Sequence, residues 1–255
     1  VFDEPFAQGR SLVHGLDPRV RLAMAALFSI CVALLKEPLA AGSALIPAMA
    51  ILSLSAPPLG VLCKRVALVN VFIVFLWVIV PLTMPGTPFA ALGPLTASRE
   101  GVALVLLATL KSNAILLTFL ALVTTMDSPT MGHALDRLGV PSKLVFLFLF
   151  TYRYLHVIAD EWQRLVTAAR LRGFAPRTGM HTYRTIGNLL AMVLVNSFDR
   201  SSRVYQAMVL RGFQGRFVSV VRFRARPKDA AFALLWLAAT AGIVLMDFFP
   251  EIRLV

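Results

Sequence analysis

Residues 101–124 read GVALVLLATLKSNAILLTFLALVT, twenty-four positions with a single charge at Lys111. At 1.5 Å per residue a helix of that length runs about 36 Å, enough to cross roughly 30 Å of hydrocarbon. Four further stretches read the same way: Leu22–Leu35, Leu39–Leu54, Val66–Thr83 and Ala230–Phe249. The first is introduced by Asp17-Pro18, a helix cap followed by proline at the first helical position. The expected fold class is therefore all-α: a polytopic membrane protein with about five transmembrane helices.

Composition agrees. Hydrophobic residues make up 58% of the 255 positions and charged residues 15%. A water-soluble fold of this size could not hide that much apolar surface, because over half of a folded surface still faces solvent. A soluble enzyme, a disordered chain and a disulfide-stapled secreted domain are all excluded as leading readings. No cleavable signal peptide is expected, since the acidic Val1-Phe2-Asp3-Glu4-Pro5 start is not followed by a short apolar core.

Charge placement sets sidedness. The net charge is +12, and residues 137–228 hold 16 of the 25 Lys and Arg but only 3 of the 13 Asp and Glu. In a soluble protein such a balance would point to nucleic acid. Here it points to a cytoplasmic segment under the positive-inside rule, with no nucleic-acid partner. Arg10, Arg19 and Arg21 before the first span, and Lys64-Arg65 in the expected loop after the second, place the N-terminus inside. Four spans return the chain inside at Thr125, and the last carries the C-terminus out. Pro141–Ile158 is a sixth candidate, but its unbroken apolar run is only Leu144–Phe150, and Arg153 and His156 interrupt it. Pro141–Arg172 is read instead as one long amphipathic helix at the membrane surface. The expected division is 1–124 for the N-terminal segment and four spans, 125–228 for the cytoplasmic insert and 229–255 for the last span.

A second long helix is expected over Thr182–Arg211, where Ile186, Leu189, Leu190, Val193, Leu194 and Phe198 recur at three and four residues. A short amphipathic stretch, Met131–Leu138, precedes both. The two long helices end alike, in Leu171-Arg172-Gly173-Phe174 and, 39 residues on, Leu210-Arg211-Gly212-Phe213. No wider repeat is apparent around them. Either end alone reads as a helix stop, glycine giving the left-handed residue and arginine opposing the dipole. Two near-identical ends point further, to a partner that offers the same acidic groove twice.

Other chemistry is sparse. None of the five lysines follows a glycine, so no phosphate-cradling Gly-x-x-x-x-Gly-Lys-Ser/Thr loop occurs. His14, His133, His156 and His181 form no ligand spacing with each other or with Cys31 and Cys63, so no metal site is expected. Lys111, deep in a span, is a functional candidate by default. Its bland readings are snorkelling or a helix-to-helix hydrogen bond with Ser112 and Asn113 nearby. A self-sufficient secondary transporter or channel using Lys111 is the alternative function. A phospholipid enzyme would need an acidic cluster beside the arginines, and Asp160, Glu161 and Asp199 lack metal-type spacing.

Taken together, the Leu16-Asp17-Pro18-Arg19-Val20-Arg21-Leu22 approach to the first span, the four-plus-one span order, the basic insert and both Arg-Gly ends resemble the transmembrane T component of energy-coupling factor (ECF) transporters, of the CbiQ type in the cobalt and nickel group. The family's usual motif is Ala-Arg-Gly, and here leucine stands first in both, at Leu171 and Leu210. The resemblance implies a cytoplasmic coupling domain of crossed helices, inserted before the last span. Leu171, Arg172, Gly173, Leu210, Arg211 and Gly212 would dock on two ATP-binding-cassette ATPase subunits carrying ATP-Mg. It implies no catalysis by this chain itself, a separate CbiM-like substrate-binding membrane subunit, and residence among lipids of a prokaryotic plasma (inner) membrane. The apolar face of Pro141–Ile158, with Phe146, Phe148 and Phe150, is a candidate surface for that subunit, its alternative being burial against this chain's own spans. Cobalt is the expected substrate.

Overall fold

The computed structural model describes residue 9 and residues 11–92, 95–213 and 226–248; over 88–92 and 95–97 it describes the backbone. After a 3-10 turn at Val13–Gly15, the helices are α1 (Pro18–Leu34), α2 (Pro38–Ser43), α3 (Leu45–Ser55), α4 (Leu59–Thr83), α5 (Arg99–Leu122), α6 (Ser128–Arg137), α7 (Ser142–Leu171), α8 (Met180–Leu210) and α9 (Pro227–Phe248). The protein is an all-helical polytopic membrane protein. The one addition to that reading is a short antiparallel hairpin between α4 and α5, β1 (Pro88–Leu92) with β2 (Leu95–Ser98), pairing Ala91 with Thr96 and Leu92 with Leu95.

The chain forms two compact units. One takes in the described residues up to 134 together with 226–248, and the other takes in 135–213. In the first, α2, α3 and the alanine joining them pack with α5 through small residues. Ala40, Ala41, Ala44, Ala48, Ala114 and Ala121 are all essentially inaccessible. Without a hydrophobic drive between helices in lipid, such small-residue seams supply the packing. Phe28 of α1 and Trp236 of α9 fill the neighbouring space, with ring centroids 5.2 Å apart.

The helix starts and stops follow from local chemistry. Asp17 caps α1, its carboxylate accepting from the Arg19 backbone N–H at 2.9 Å, with Pro18 at the first helical position. The α4 helix begins at Leu59, directly after Pro57-Pro58, and not at Val66 as the apolar run implied. Lys64 and Arg65 therefore lie within α4 and not in a loop. Both are good helix formers, so the helix extends about two turns beyond its apolar stretch.

Among the described residues, five helical stretches are long and apolar enough to cross a membrane: Pro38–Ser55, Leu59–Thr83, Arg99–Leu122, Ser142–Leu171 and Pro227–Phe248. The number is the expected one but the membership differs. The α1 helix, at 17 residues, spans only about 26 Å, and α7 takes its place. Packing within the first unit restores α1. The Asp229 carboxylate at the start of α9 accepts from the Asp17 N–H at 2.8 Å. At the far end of α9, Asp247 accepts from the N–H groups of Lys36 and Glu37 at 3.0 and 2.8 Å. So α1 and α9 run parallel, stapled at both ends across the same slab.

The remaining directions are fixed by side-chain bonds. Arg21 near the start of α1 donates to the Leu122 carbonyl at the end of α5, while Lys111 of α5 reaches Ala33 near the end of α1. These two helices are antiparallel. Asn70 with Asn113 and Trp77 with Thr109 make α4 and α5 antiparallel as well. Hence α1, α4 and α9 run one way, and α2–α3 and α5 the other. The end of α5 and the start of α9 lie at one face, so the segment joining them crosses an even number of times. A crossing by α7 alone would reverse α9.

Candidate functional site

In the second unit, α7 and α8 are consecutive helices of 30 and 31 residues. They lie antiparallel. The first half of α7 faces the second half of α8 across a groove of about 430 Å³, lined by residues such as Phe146, Tyr154 and Ile158 from α7 and Val204 and Met208 from α8. Buried Leu189 and Val193 carry the packing on the α8 side.

Both helices end in the same backbone motif. At α7 the Phe174 N–H donates to the Ala169 carbonyl at 3.0 Å and the Gly173 N–H to the Arg170 carbonyl at 3.0 Å. At α8 Phe213 donates to Met208 at 3.0 Å and Gly212 to Val209 at 2.9 Å. These are the paired six-to-one and five-to-two bonds of a Schellman stop, with glycine in the left-handed region. The φ angles are +87° at Gly173 and +81° at Gly212. Phe174 and Phe213 are half-buried, and Phe213 lies 6.4 Å, ring to ring, from Phe146.

The helix stop thus accounts for the glycine and for the phenylalanine, which supplies the apolar contact that accompanies such a cap. It does not account for the other two residues. Leu171 and Leu210 are 85% and 87% exposed, and Arg172 and Arg211 are exposed beside them. Neither arginine takes part in the ion pairs among the described residues. Each helix end therefore presents one apolar and one cationic side chain to solvent, in identical backbone geometry.

Midway along the pair lies a polar clasp. Glu161 of α7 accepts from Asn196 at 3.0 Å and from the Arg200 guanidinium at 2.9 Å, both on α8. Glu161 and Arg200 are 39 residues apart, the same offset as Arg172 and Arg211. Asp160 and Asp199, Arg164 and Arg203, and Ala168 and Ala207 also match at that offset. The repeat is wider than the two motifs, contrary to the reading of the sequence. It escapes the apolar pattern because two of those three pairs are charged, although their four-residue spacing puts them on one helix face.

Of the three phenylalanines, Phe146 and Phe150 pack with tilted rings, centroids 4.1 Å apart, and both line the groove. Phe148, two residues from each, does not line it and is half-buried elsewhere. The three do not make one face, because i and i+2 point apart on a helix.

Lys111 takes the helix-to-helix reading. Its ammonium donates to the Ala33 carbonyl at 2.9 Å, next to the last residue of α1. There it meets the negative end of the α1 dipole, one turn from Lys36 and Glu37. The role of Arg21 is not legible in the sequence, where it reads only as a charge flanking the first span. Arg21 is 2% exposed and donates to Leu122 at 3.1 Å and to the Thr125 hydroxyl, tying α1 to the exit of α5. Beside it, the Arg19 guanidinium bonded to Asp17 at 2.7 Å holds that carboxyl below the usual carboxylate range. Among the described residues, no group of three His, Cys, Asp or Glu could hold a metal ion.

Comparison with known proteins agrees with this architecture. The family described as cobalt transport protein, CbiQ, matches over residues 9–222. The chain belongs to the CbiQ cobalt transport protein family. It is 24% identical over 217 residues to the energy-coupling factor transporter transmembrane protein EcfT of Acidaminococcus fermentans, covering 81% of each chain. It is 31% identical over 128 residues to the cobalt transport protein CbiQ of Rhodobacter capsulatus, covering 49% of this chain and 52% of that one. A putative ABC transporter ATP-binding protein of Bifidobacterium longum matches at 27% over 187 residues, 66% of this chain but only 23% of that protein. This CbiQ-family chain is accordingly a multi-pass membrane component of an ECF transporter.

Proposed function

We propose that this chain is the coupling (T) subunit of an ECF-type ABC importer for cobalt. Two cytoplasmic ATP-binding-cassette ATPases receive the two helix ends. Leu171 and Leu210 enter apolar hollows, and Arg172 and Arg211 pair with carboxylates there. ATP-Mg is held on those partners, and this chain transmits their motion through α7 and α8 to a CbiM-like substrate-binding membrane subunit.

The observation that carries this reading is the matched pair of exposed Leu-Arg side chains on two identical helix stops. Folding needs neither side chain there. Arginine's planar fork suits carboxylates, and a pair at equal offsets suits a dimeric partner. Support for cobalt comes from the name of the matched family and from the Rhodobacter capsulatus relative. Support for a cytoplasmic coupling domain comes from its charge, net +13 over residues 137–228, on the positive-inside rule. The alternative that Lys111 serves a channel or secondary transporter loses its motive, since Lys111 caps α1.

The test is purification from native membranes of wild type beside Arg172→Ala/Arg211→Ala, with co-purified proteins identified. Wild type should bring down two ATPase chains and a further membrane subunit, and the double variant should lose the ATPases. Unimpaired cobalt uptake by the double variant would overturn the reading.

A further inference from the structure

The polar clasp is not needed to hold α7 against α8. Leu189, Val193 and the aromatic residues of the groove already provide an apolar seam, and an ion pair at such a seam costs desolvation that an apolar contact would not. Its position is what distinguishes it. Glu161 lies ten residues before Leu171, and Arg200 lies ten before Leu210, so each arm is about 15 Å long. The two bonded residues occupy equivalent places in the 39-residue repeat, as do the two exposed arginines. The antiparallel helices are thus related by a local two-fold axis through the clasp, with the docking ends at equal distances on opposite sides.

We propose that Glu161 is a positioning residue, the fixed point about which α7 and α8 turn on each other during the transport cycle. This rests on the coupling reading above. Two arms of equal length turning about one bonded point convert equal displacements of the two ends into a rotation. If the helices instead slid along their apolar seam, the displacements would not be matched and the motion would be dissipated. The clasp suits that task because it is directional. Glu161 accepts from two donors a turn apart on α8, Asn196 and Arg200, with the side chains of Glu161 and Arg200 only 22% and 34% exposed. A carboxylate held by two donors a turn apart resists translation along the helix, which would stretch both bonds, whereas a small turn about the contact only bends them.

The test uses the whole complex, reconstituted in vesicles with cobalt uptake and ATP hydrolysis measured together. Glu161→Ala should retain co-purification of the ATPases but move roughly five-fold fewer ions per ATP. Arg200→Glu should do the same, and the reversed pair Glu161→Arg/Arg200→Glu should recover the ratio. A purely structural role would lower the yield of folded complex and leave the ratio unchanged. A second experiment does not depend on those variants folding. In a background with Cys31 and Cys63 replaced by alanine, a short bifunctional thiol reagent is applied to Glu161→Cys/Arg200→Cys and, separately, to Tyr154→Cys/Val204→Cys across the groove. Bridging at the clasp should leave transport intact, while bridging away from it should stop transport. A normal ion-to-ATP ratio in Glu161→Ala, or loss of transport on bridging the clasp, would overturn the pivot. If the wild-type chain brings down no ATPase, the coupling reading fails and the pivot with it. If it does and Glu161→Ala couples normally, the pivot alone fails.

Discussion

At the scale of single residues, stability and function separate cleanly at the two helix ends. Gly173 and Gly212 have open space where a Cβ would stand, so the cost of alanine there is backbone alone. Each Gly→Ala should lower the unfolding free energy by about 1–2 kcal/mol, read as a fall in Tm of the detergent-solubilised chain. Arg172→Ala and Arg211→Ala should stay within about 0.5 kcal/mol of wild type, because both side chains are exposed and outside the described ion pairs. A large drop in Tm for the arginine variants would mean they serve the fold, not a partner. The reverse case is Ala56, which closes α3 with a φ of +45°. Ala56→Gly relieves that left-handed strain and should raise stability by up to about 1 kcal/mol in the same measurement.

Between elements, buried polar groups do the work that the apolar pattern cannot specify. Asp229 accepts from the backbone of both Asp17 and Arg226, at 2.8 and 2.7 Å, and is almost fully buried. Asp229→Ala leaves two N–H groups without that partner and should cost about 2–4 kcal/mol, seen in thermal unfolding. Asp17 makes the α1 start sensitive to acid. Its folded pKa is lowered by Arg19 below an unfolded value near 3.9, so the stability it adds is present above that value. It is lost as pH falls through the folded pKa. Wild type should therefore lose stability below about pH 4 more steeply than Asp17→Asn, whose Tm should be lower at neutral pH and flatter in acid. Parallel curves for the two proteins would refute this.

Over the whole molecule, the paired staples of α9 on α1 make a prediction about sidedness. Single cysteines at Ser128, just after α5, and at Lys228, at the start of α9, should react with an impermeant thiol reagent from one side of sealed vesicles. A cysteine at Lys36, at the far end of α1, should react from the other side. Labelling of Ser128→Cys and Lys228→Cys from opposite sides would require an odd number of crossings between them, and α7 would then span. How far the molecule could be read in advance follows the same division. Long apolar runs announce helices whatever surrounds them, because burying the backbone in lipid leaves few alternatives. Thus α5, α8 and α9 lie within a few residues of their expected bounds, and the family resemblance rested on the approach to the first span, the span order, the basic insert and both Arg-Gly ends, all legible in the sequence. Periodicity of apolar residues cannot report directional contacts between distant positions. The β1–β2 hairpin, the extension of α4 through Lys64 and Arg65 and the burial of Arg21 were accordingly absent from it. Phe148 was grouped with Phe146 and Phe150 because composition carries no facing. By itself, then, the sequence determined that the chain is helical, membrane-embedded and finished at two points by the same four residues, since hydropathy, glycine conformation and charge are local properties. Only the tertiary structure decided which helices run parallel, which charges are bonded and which are left exposed, because those depend on groups up to 212 residues apart meeting within 3 Å.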